Sequence, residues 1–309
     1  MVVYRELSSL CHDLGYSARA LYAASNSVLK HYHKVSIPKS NGGMRELHVP
    51  DKYLKSIQKS IARNLLATEE ISVYATAYRE GGSTIRNASP HIGAPMIMKC
   101  DISKFFDHIT FAMVRKKVFP EAKYSAANSI LLSALCVYTD TVPQGAPTSP
   151  AISNIILKDF DNRVGRWCAE RNITFTRYCD DMTFSGEFNA TEVQEFVNKE
   201  LFKEGFFLNS KKTVVLHDGQ RKSVTSLVVN EKLSVPKSYK KEIRQVIYYC
   251  KKYGVEEHLR QRGLSESPEV YINVILGRIN YILSVERENA EMRNYKSWLL
   301  SQKGDTYGI

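Results

Sequence analysis

Two β-prone runs, residues 173–178 and 182–185, are separated by only Cys179, Asp180 and Asp181. Their aromatic and β-branched residues suit a pleated, half-buried surface. So short an intervening stretch leads the runs to pair as a hairpin that projects acidic side chains at its turn. A second strand is legible at residues 96–102. Met96, Met98, Cys100 and Ile102 fall on one face and Lys99 and Asp101 on the other, which is the period-two pattern of a strand. Asp101 stands near its end, with its carboxylate away from the apolar row. The chain must therefore build a sheet that carries carboxylates at strand ends.

The remaining elements are mostly helical. Residues 4–33 read as two short helices broken at Gly15, and Ile37-Pro38-Lys39-Ser40-Asn41-Gly42-Gly43 reads as a basic hairpin tip. Leu54, Ile57, Ile61 and Leu65 recur at helical spacing, with Lys52, Lys55, Lys59 and Arg63 on the opposite face. At Ser149-Pro150 we expect a helix start, with serine as N-cap and proline in the first helical position. Beyond Pro236 the pattern is helical and basic, Ile243, Val246, Ile247 and Cys250 forming the apolar stripe.

Composition narrows the function classes. With 309 residues, 43% apolar and 24% charged, the chain has enough material for a core without disulfide staples. Its formal net charge of +11 favours polyanionic partners such as nucleic acid. The six cysteines, Cys11, Cys100, Cys136, Cys168, Cys179 and Cys250, contain no Cys-x-x-Cys pair, so neither a zinc ribbon nor a disulfide framework is expected. Arg5 and Glu6 stand where a signal peptide would need an apolar core, and no run reaches the ~18 apolar residues of a membrane span. The expectation is a soluble, cytoplasmic protein with no membrane partner.

Adjacent aspartates at a turn are commonly solvated turn formers. Asp101, Asp180 and Asp181 together offer more, because three hard oxygen ligands from two strands match what a pair of magnesium ions requires. Two such ions about 3.5–4 Å apart serve the joining of a nucleotide to a hydroxyl. The surroundings agree. Four blocks occur in order: residues 98–106 with Asp101-Ile102-Ser103-Lys104-Phe105-Phe106, residues 142–150 with Pro143-Gln144-Gly145, residues 175–181 with Tyr178-Cys179-Asp180-Asp181, and residues 208–213 with Lys211-Lys212.

Together these blocks resemble the successive palm motifs of reverse transcriptases. More narrowly, the chain resembles bacterial retron reverse transcriptases. Asn87-Ala88-Ser89-Pro90-His91 matches the Asn-Ala-x-x-His block of that family, and Val224-Thr225-Ser226 falls where the family has Val-Thr-Gly. The resemblance implies an α+β right-hand polymerase with an antiparallel palm sheet backed by helices. N-terminal helices and fingers would occupy 1–95, interleaved with palm to about 150, the palm mainly 96–235, and a helical thumb 236–309.

It also implies roles. Asp101, Asp180 and Asp181 would hold two Mg2+ ions, Mn2+ being a possible substitute, with the Ile102 carbonyl as a further ligand. Phe106 would lie under the incoming sugar and leave no room for a 2′-hydroxyl. Gln144 and Gly145 would contact the incoming nucleotide and template. Lys39 and Arg45 would neutralise the triphosphate, Lys212 would meet the leaving pyrophosphate, and Tyr178 would pack beneath the primer terminus. Asn87, Ala88, His91, Val224, Thr225 and Ser226 would serve RNA recognition.

The implied reaction is RNA-directed DNA synthesis from deoxynucleoside triphosphates, copying part of a cognate structured non-coding RNA. Priming from a guanosine 2′-hydroxyl would yield a branched RNA–DNA hybrid, msDNA. We expect no appended ribonuclease H domain, so a host ribonuclease H would remove template. An effector protein from the same locus and a role in antiphage defence are further implications. The alternatives are a group II intron, diversity-generating or abortive-infection type reverse transcriptase, and a non-catalytic RNA-binding scaffold.

Overall fold

The structure, a computed structural model, describes residues 3–38 and 42–304. By their contacts the residues group into two units, one of 1–83 with 95–215 and one of 84–94 with 216–309.

In the first unit, Gly15 closes the opening helix, Leu7–Leu14, at φ 73°, and its N–H reaches the carbonyls of Cys11 and His12. Glycine takes this left-handed cap without a Cβ penalty. A second helix, Ala18–Asn26, starts where the Ser17 side chain accepts the Ala20 N–H. Strands β1 (Tyr32–Pro38) and β2 (Met44–Pro50) pair antiparallel from Tyr32↔Pro50 to Pro38↔Met44. The expected hairpin is therefore present, while Lys39 at its tip lies outside the described residues. The helix Lys52–Ile61 is capped by Asp51 and continues into a wider turn, Ala62–Leu66. Leu54, Ile57, Ile61 and Leu65 are buried, as their spacing predicts.

A four-stranded sheet runs in the order β4-β5-β3-β6, with β3 Met96–Asp101, β4 Thr174–Tyr178, β5 Asp181–Gly186 and β6 Val214–Leu216. The 173–185 hairpin forms as read, β4 and β5 being joined by Cys179-Asp180 alone. Strand β3 pairs with β5 from Met96↔Gly186 to Asp101↔Asp181, which brings the strand-end carboxylates together. Ile97 on the Lys99 side of β3 is fully buried as well, so both faces of this strand are covered. Helices Ala126–Cys136, Ser149–Ile156, Lys158–Ala169 and Ala190–Lys203 contribute buried side chains to the same core. The α+β class with an antiparallel sheet backed by helices is what the structure has.

One cap differs from expectation. Thr148, not Ser149, occupies the N-cap of Ser149–Ile156. The Ser149 hydroxyl instead donates to the Pro143 carbonyl at 2.7 Å, closing the 143–149 loop on itself.

In the second unit, the short helix Thr84–Ala88 and the turn Ser89–His91 accompany a small hairpin of β7 (Ser223–Val224) and β8 (Leu227–Val228). Four helices follow, Lys237–Tyr253, Val255–Gln261, Pro268–Val285 and Ala290–Gly304. Ile243, Val246, Ile247 and Cys250 form the buried stripe of the first. No helix among the described residues is long and apolar enough to cross a membrane.

Candidate active site

Three carboxylates converge at the open ends of β3 and β5. Asp101, Asp180 and Asp181 each offer an oxygen within 4.8 Å of the others, Asp101 buried, Asp180 half-buried and Asp181 exposed. The turn that carries two of them is bent. Cys179 has φ 61°, a positive value that the primed two-residue hairpin turns require and that costs a non-glycine residue about 1–2 kcal/mol. The Ile102 N–H donates to the Asp180 carbonyl at 3.1 Å, tying the end of β3 to the turn.

A cation and an amide flank the buried member. Lys212 Nζ lies 3.0 Å from Asp101 Oδ1, and Asn209 Nδ2 lies 3.2 Å from Asp101 Oδ2. The Asn209 N–H also donates to the Asp101 carbonyl at 2.8 Å. Hydrogen bonding to Asp101 raises the Lys212 pKa. Asp181 behaves oppositely to an ordinary surface aspartate. Although it opens to solvent on one side, protein atoms crowd its carboxyl. That desolvation, followed by the charges of Asp180 and Asp101, pushes its pKa up to about 6, against the pull of Lys212 and Lys99. A site in which carboxylates repel one another in this way is suited to a divalent cation, and the all-oxygen donor set fits a hard ion.

The other expected residues fall into separate groups. Tyr178 is half-buried and pairs with Asp181 in the sheet register. Phe106 opens the turn Phe106–His108, half-buried, with its ring 5.2 Å from that of buried Phe105. Gln144 and Gly145 meet the β1–β2 hairpin, because the Gln144 carbonyl accepts the His48 N–H at 3.0 Å. Gly145 has φ 121°, and a Cβ there would stand 3.0 Å from the His48 carbonyl oxygen, so only glycine fits the approach. Arg45 is exposed on the same hairpin, opposite Ile37.

In the second unit, Asn87 and Thr225 are joined by a 3.4 Å hydrogen bond, and the Thr225 hydroxyl donates to the Thr84 carbonyl at 3.2 Å. The two blocks that resemble retron signatures are thus one local structure. Ala88, His91 and Val224 are buried beside them in that unit's sequence, while Ser226 is exposed. Thr225 and Ser226 have φ 44° and 67°, the pair of positive values of a type I′ turn. That geometry explains why glycine suits the position that Ser226 holds here.

One group escaped the sequence reading. Arg177 and Asp161 are fully buried and form a bidentate pair at 2.7 and 2.6 Å. Arg177 also donates to the Asn154 side chain at 3.2 Å and to the Cys179 carbonyl at 2.8 Å. A signal was available. Asp161 stands in register with Val164, Gly165 and Cys168 on the buried stripe of its helix, and a charge at such a place calls for a buried partner.

Three carboxylates, two at strand ends and one in the β4–β5 turn, beside a lysine on an antiparallel sheet backed by helices, are a donor set of the kind that metal-assisted phosphoryl transfer uses. Residues 37–248 match the family described as reverse transcriptase (RNA-dependent DNA polymerase). Its relatives include retron enzymes. The chain is 32% identical to the retron Ec86 reverse transcriptase of Escherichia coli over 251 residues, covering 80% of this chain and 73% of that protein. It is 30% identical to the retron Mx65 enzyme of Myxococcus xanthus over 282 residues, covering 85% and 63%. It is 29% identical to the retron Ec83 enzyme of Escherichia coli over 278 residues, covering 83% of each. The chain belongs to the retron reverse transcriptase family and is an RNA-directed DNA polymerase.

Proposed function

We propose that this enzyme copies part of a cognate structured non-coding RNA into DNA, starting from a guanosine 2′-hydroxyl, and so makes the branched RNA–DNA hybrid msDNA. The observation that carries the reading is the convergence of Asp101, Asp180 and Asp181 in a chain whose relatives include retron enzymes.

In this reading the three aspartates, with the Ile102 carbonyl, hold two Mg2+ ions, for which Mn2+ substitutes. When bound, the ions activate the attacking hydroxyl and neutralise the triphosphate. Lys212, which pairs with Asp101, meets the pyrophosphate side of the incoming triphosphate and supplies charge or a proton there. Arg45 and Lys39 meet the triphosphate from the hairpin. Gln144 and Gly145 contact the incoming nucleotide and the template. Phe106 excludes the 2′-hydroxyl, and Tyr178 supports the primer terminus. Recognition of the cognate RNA falls to the local structure of Asn87, Ala88, His91, Val224, Thr225 and Ser226, in which Ser226 is exposed while Asn87, Ala88, His91 and Val224 are buried and support it.

The fingers, palm and thumb correspond to about 1–95, 96–235 and 236–309. The family supports the wider setting: a cytoplasmic ribonucleoprotein whose template is trimmed by host ribonuclease H and which restrains an effector protein from the same locus in antiphage defence.

The test is to express the genomic locus with wild-type protein and with Asp180→Asn/Asp181→Asn, purify the complex, and digest the bound nucleic acid with DNase and RNase separately. The wild type should carry DNA joined to RNA through a 2′-linkage, and the variant should carry RNA alone. DNA synthesis by the double variant rejects the catalytic assignment. RNA without linked DNA in an active wild type rejects the branched product.

A further inference from the structure

We infer that the buried Arg177–Asp161 ion pair, with Asn154, is a positioning device that fixes the Cys179-Asp180 turn for metal binding. The inference rests on the proposed role of Asp180 as a metal ligand.

The guanidinium is the centre of the network. Its Nε and Nη2 grip both oxygens of Asp161, Nη2 also reaches Asn154 Oδ1, and Nη1 donates to the carbonyl of Cys179. Four of its five N–H groups can thus be engaged, and its planar fork sets their directions. The Cys179 carbonyl is the bond that matters, because it belongs to the peptide leading directly into Asp180. Cys179 is also the residue held at positive φ, so the turn needs an external restraint to keep one shape.

The restraint is anchored on two further elements. Asp161 lies on the helix Lys158–Ala169, and Asn154 lies on Ser149–Ile156 and donates to the Ala77 carbonyl at 2.8 Å. The backbone of Arg177 is fixed too, its N–H donating to the Tyr74 carbonyl at 2.8 Å and its carbonyl accepting the Thr76 N–H at 2.8 Å. Tyr74 lies so close over Gly165 that a Cβ there would stand 2.0 Å from its ring, which keeps this segment pressed against the helix bearing Asp161. From the other side, the Tyr78 hydroxyl meets Cys179 Sγ at 3.2 Å.

Stability alone does not explain such an arrangement. Desolvation offsets most of the attraction in a buried ion pair, and apolar side chains of similar volume often serve as well. What an apolar pair cannot do is hold the Cys179 carbonyl in place. Groups that orient metal ligands from behind commonly govern affinity by about 10- to 100-fold.

The test compares wild type, Asn154→Ala, Arg177→Met/Asp161→Leu and the metal-site control Asp180→Asn. Each metal-free protein is titrated with Mn2+ alone, followed by electron paramagnetic resonance, and its melting temperature and affinity for a poly(rA)·oligo(dT) duplex are measured. The double variant should melt cooperatively near wild type and bind the duplex equally well. Its Mn2+ dissociation constant should rise about tenfold or more, with a smaller rise for Asn154→Ala. Unchanged Mn2+ affinity in a folded double variant overturns the inference. Should that variant fail to fold, Asn154→Ala decides in its place, since it leaves the ion pair intact: weaker Mn2+ binding supports positioning, and wild-type binding overturns it. If wild type and Asp180→Asn bind Mn2+ alike, it is the metal assignment that has failed, and the inference falls with it.

Discussion

Lys212 and Asp101 form an ion pair at 3.0 Å across the candidate active site, joining two residues that lie 111 positions apart in the chain. The lysine side chain is 61% exposed and the aspartate 9%, so the pair is a surface lysine leaning onto a buried carboxylate. Exposed cations of this kind contribute at most about 1 kcal/mol to folding. Their value lies in being free to move.

Lys212→Ala should therefore leave the melting temperature nearly unchanged while slowing nucleotide addition on the order of 10²-fold. Single-turnover incorporation at saturating nucleotide measures this directly. A large loss of stability, or a wild-type rate, contradicts the role given to Lys212.

Phe106 is half-buried, with its ring packed against that of Phe105. Phe106→Ala should raise the use of ribonucleotides relative to deoxynucleotides by roughly 10- to 200-fold, the usual range when steric exclusion in a pocket is relieved. Competing the two nucleotide types on one template reads out the ratio. An unchanged ratio means that Phe106 is only a packing residue.

His91 is fully buried, and desolvation pushes its pKa down to about 4 from an ordinary value of 6.5. The unfolded chain thus takes up a proton between pH 6.5 and 4 that the folded unit refuses. Stability is complete above pH 6.5 and falls as pH drops through this window, by up to about 3 kcal/mol. Denaturant titrations at several pH values should show the decline, and His91→Gln should flatten it. Equal slopes for the two proteins would speak against a neutral, buried histidine.

Ser226 pays the cost of a left-handed backbone at φ 67°, a conformation that glycine adopts freely. Ser226→Gly should stabilise the protein by about 1 kcal/mol, seen as a higher midpoint in chemical denaturation. A lower midpoint implies that the Ser226 side chain makes contacts that outweigh the turn.

Much of this architecture was legible because its causes are local. Leu54, Ile57, Ile61 and Leu65 repeat at the helical period and are buried, and Cys179-Asp180 joins two β-prone runs too closely spaced to do anything but pair. The N-cap at Thr148 was missed by one residue, since the Ser149 hydroxyl has a competing acceptor in the Pro143 carbonyl that no local pattern displays. The Arg177–Asp161 pair was missed for a related reason. A charged residue on an apolar stripe announces a partner, but periodicity does not say which.

The order of the four motif blocks, the identity of the three aspartates and the family itself were set by the sequence, because residue type and spacing carry that information directly. The tertiary structure decided the rest: that Asp101 pairs in register with Asp181, that Lys212 rests on Asp101, that Asn87 meets Thr225, and that Asp161 reaches Arg177 behind the turn. Each of these joins groups that are distant in the chain, and strand register and helix packing bring them to within a few ångströms. Hydrogen bonds and ion pairs act only at such range, so their partners exist only once the chain has folded.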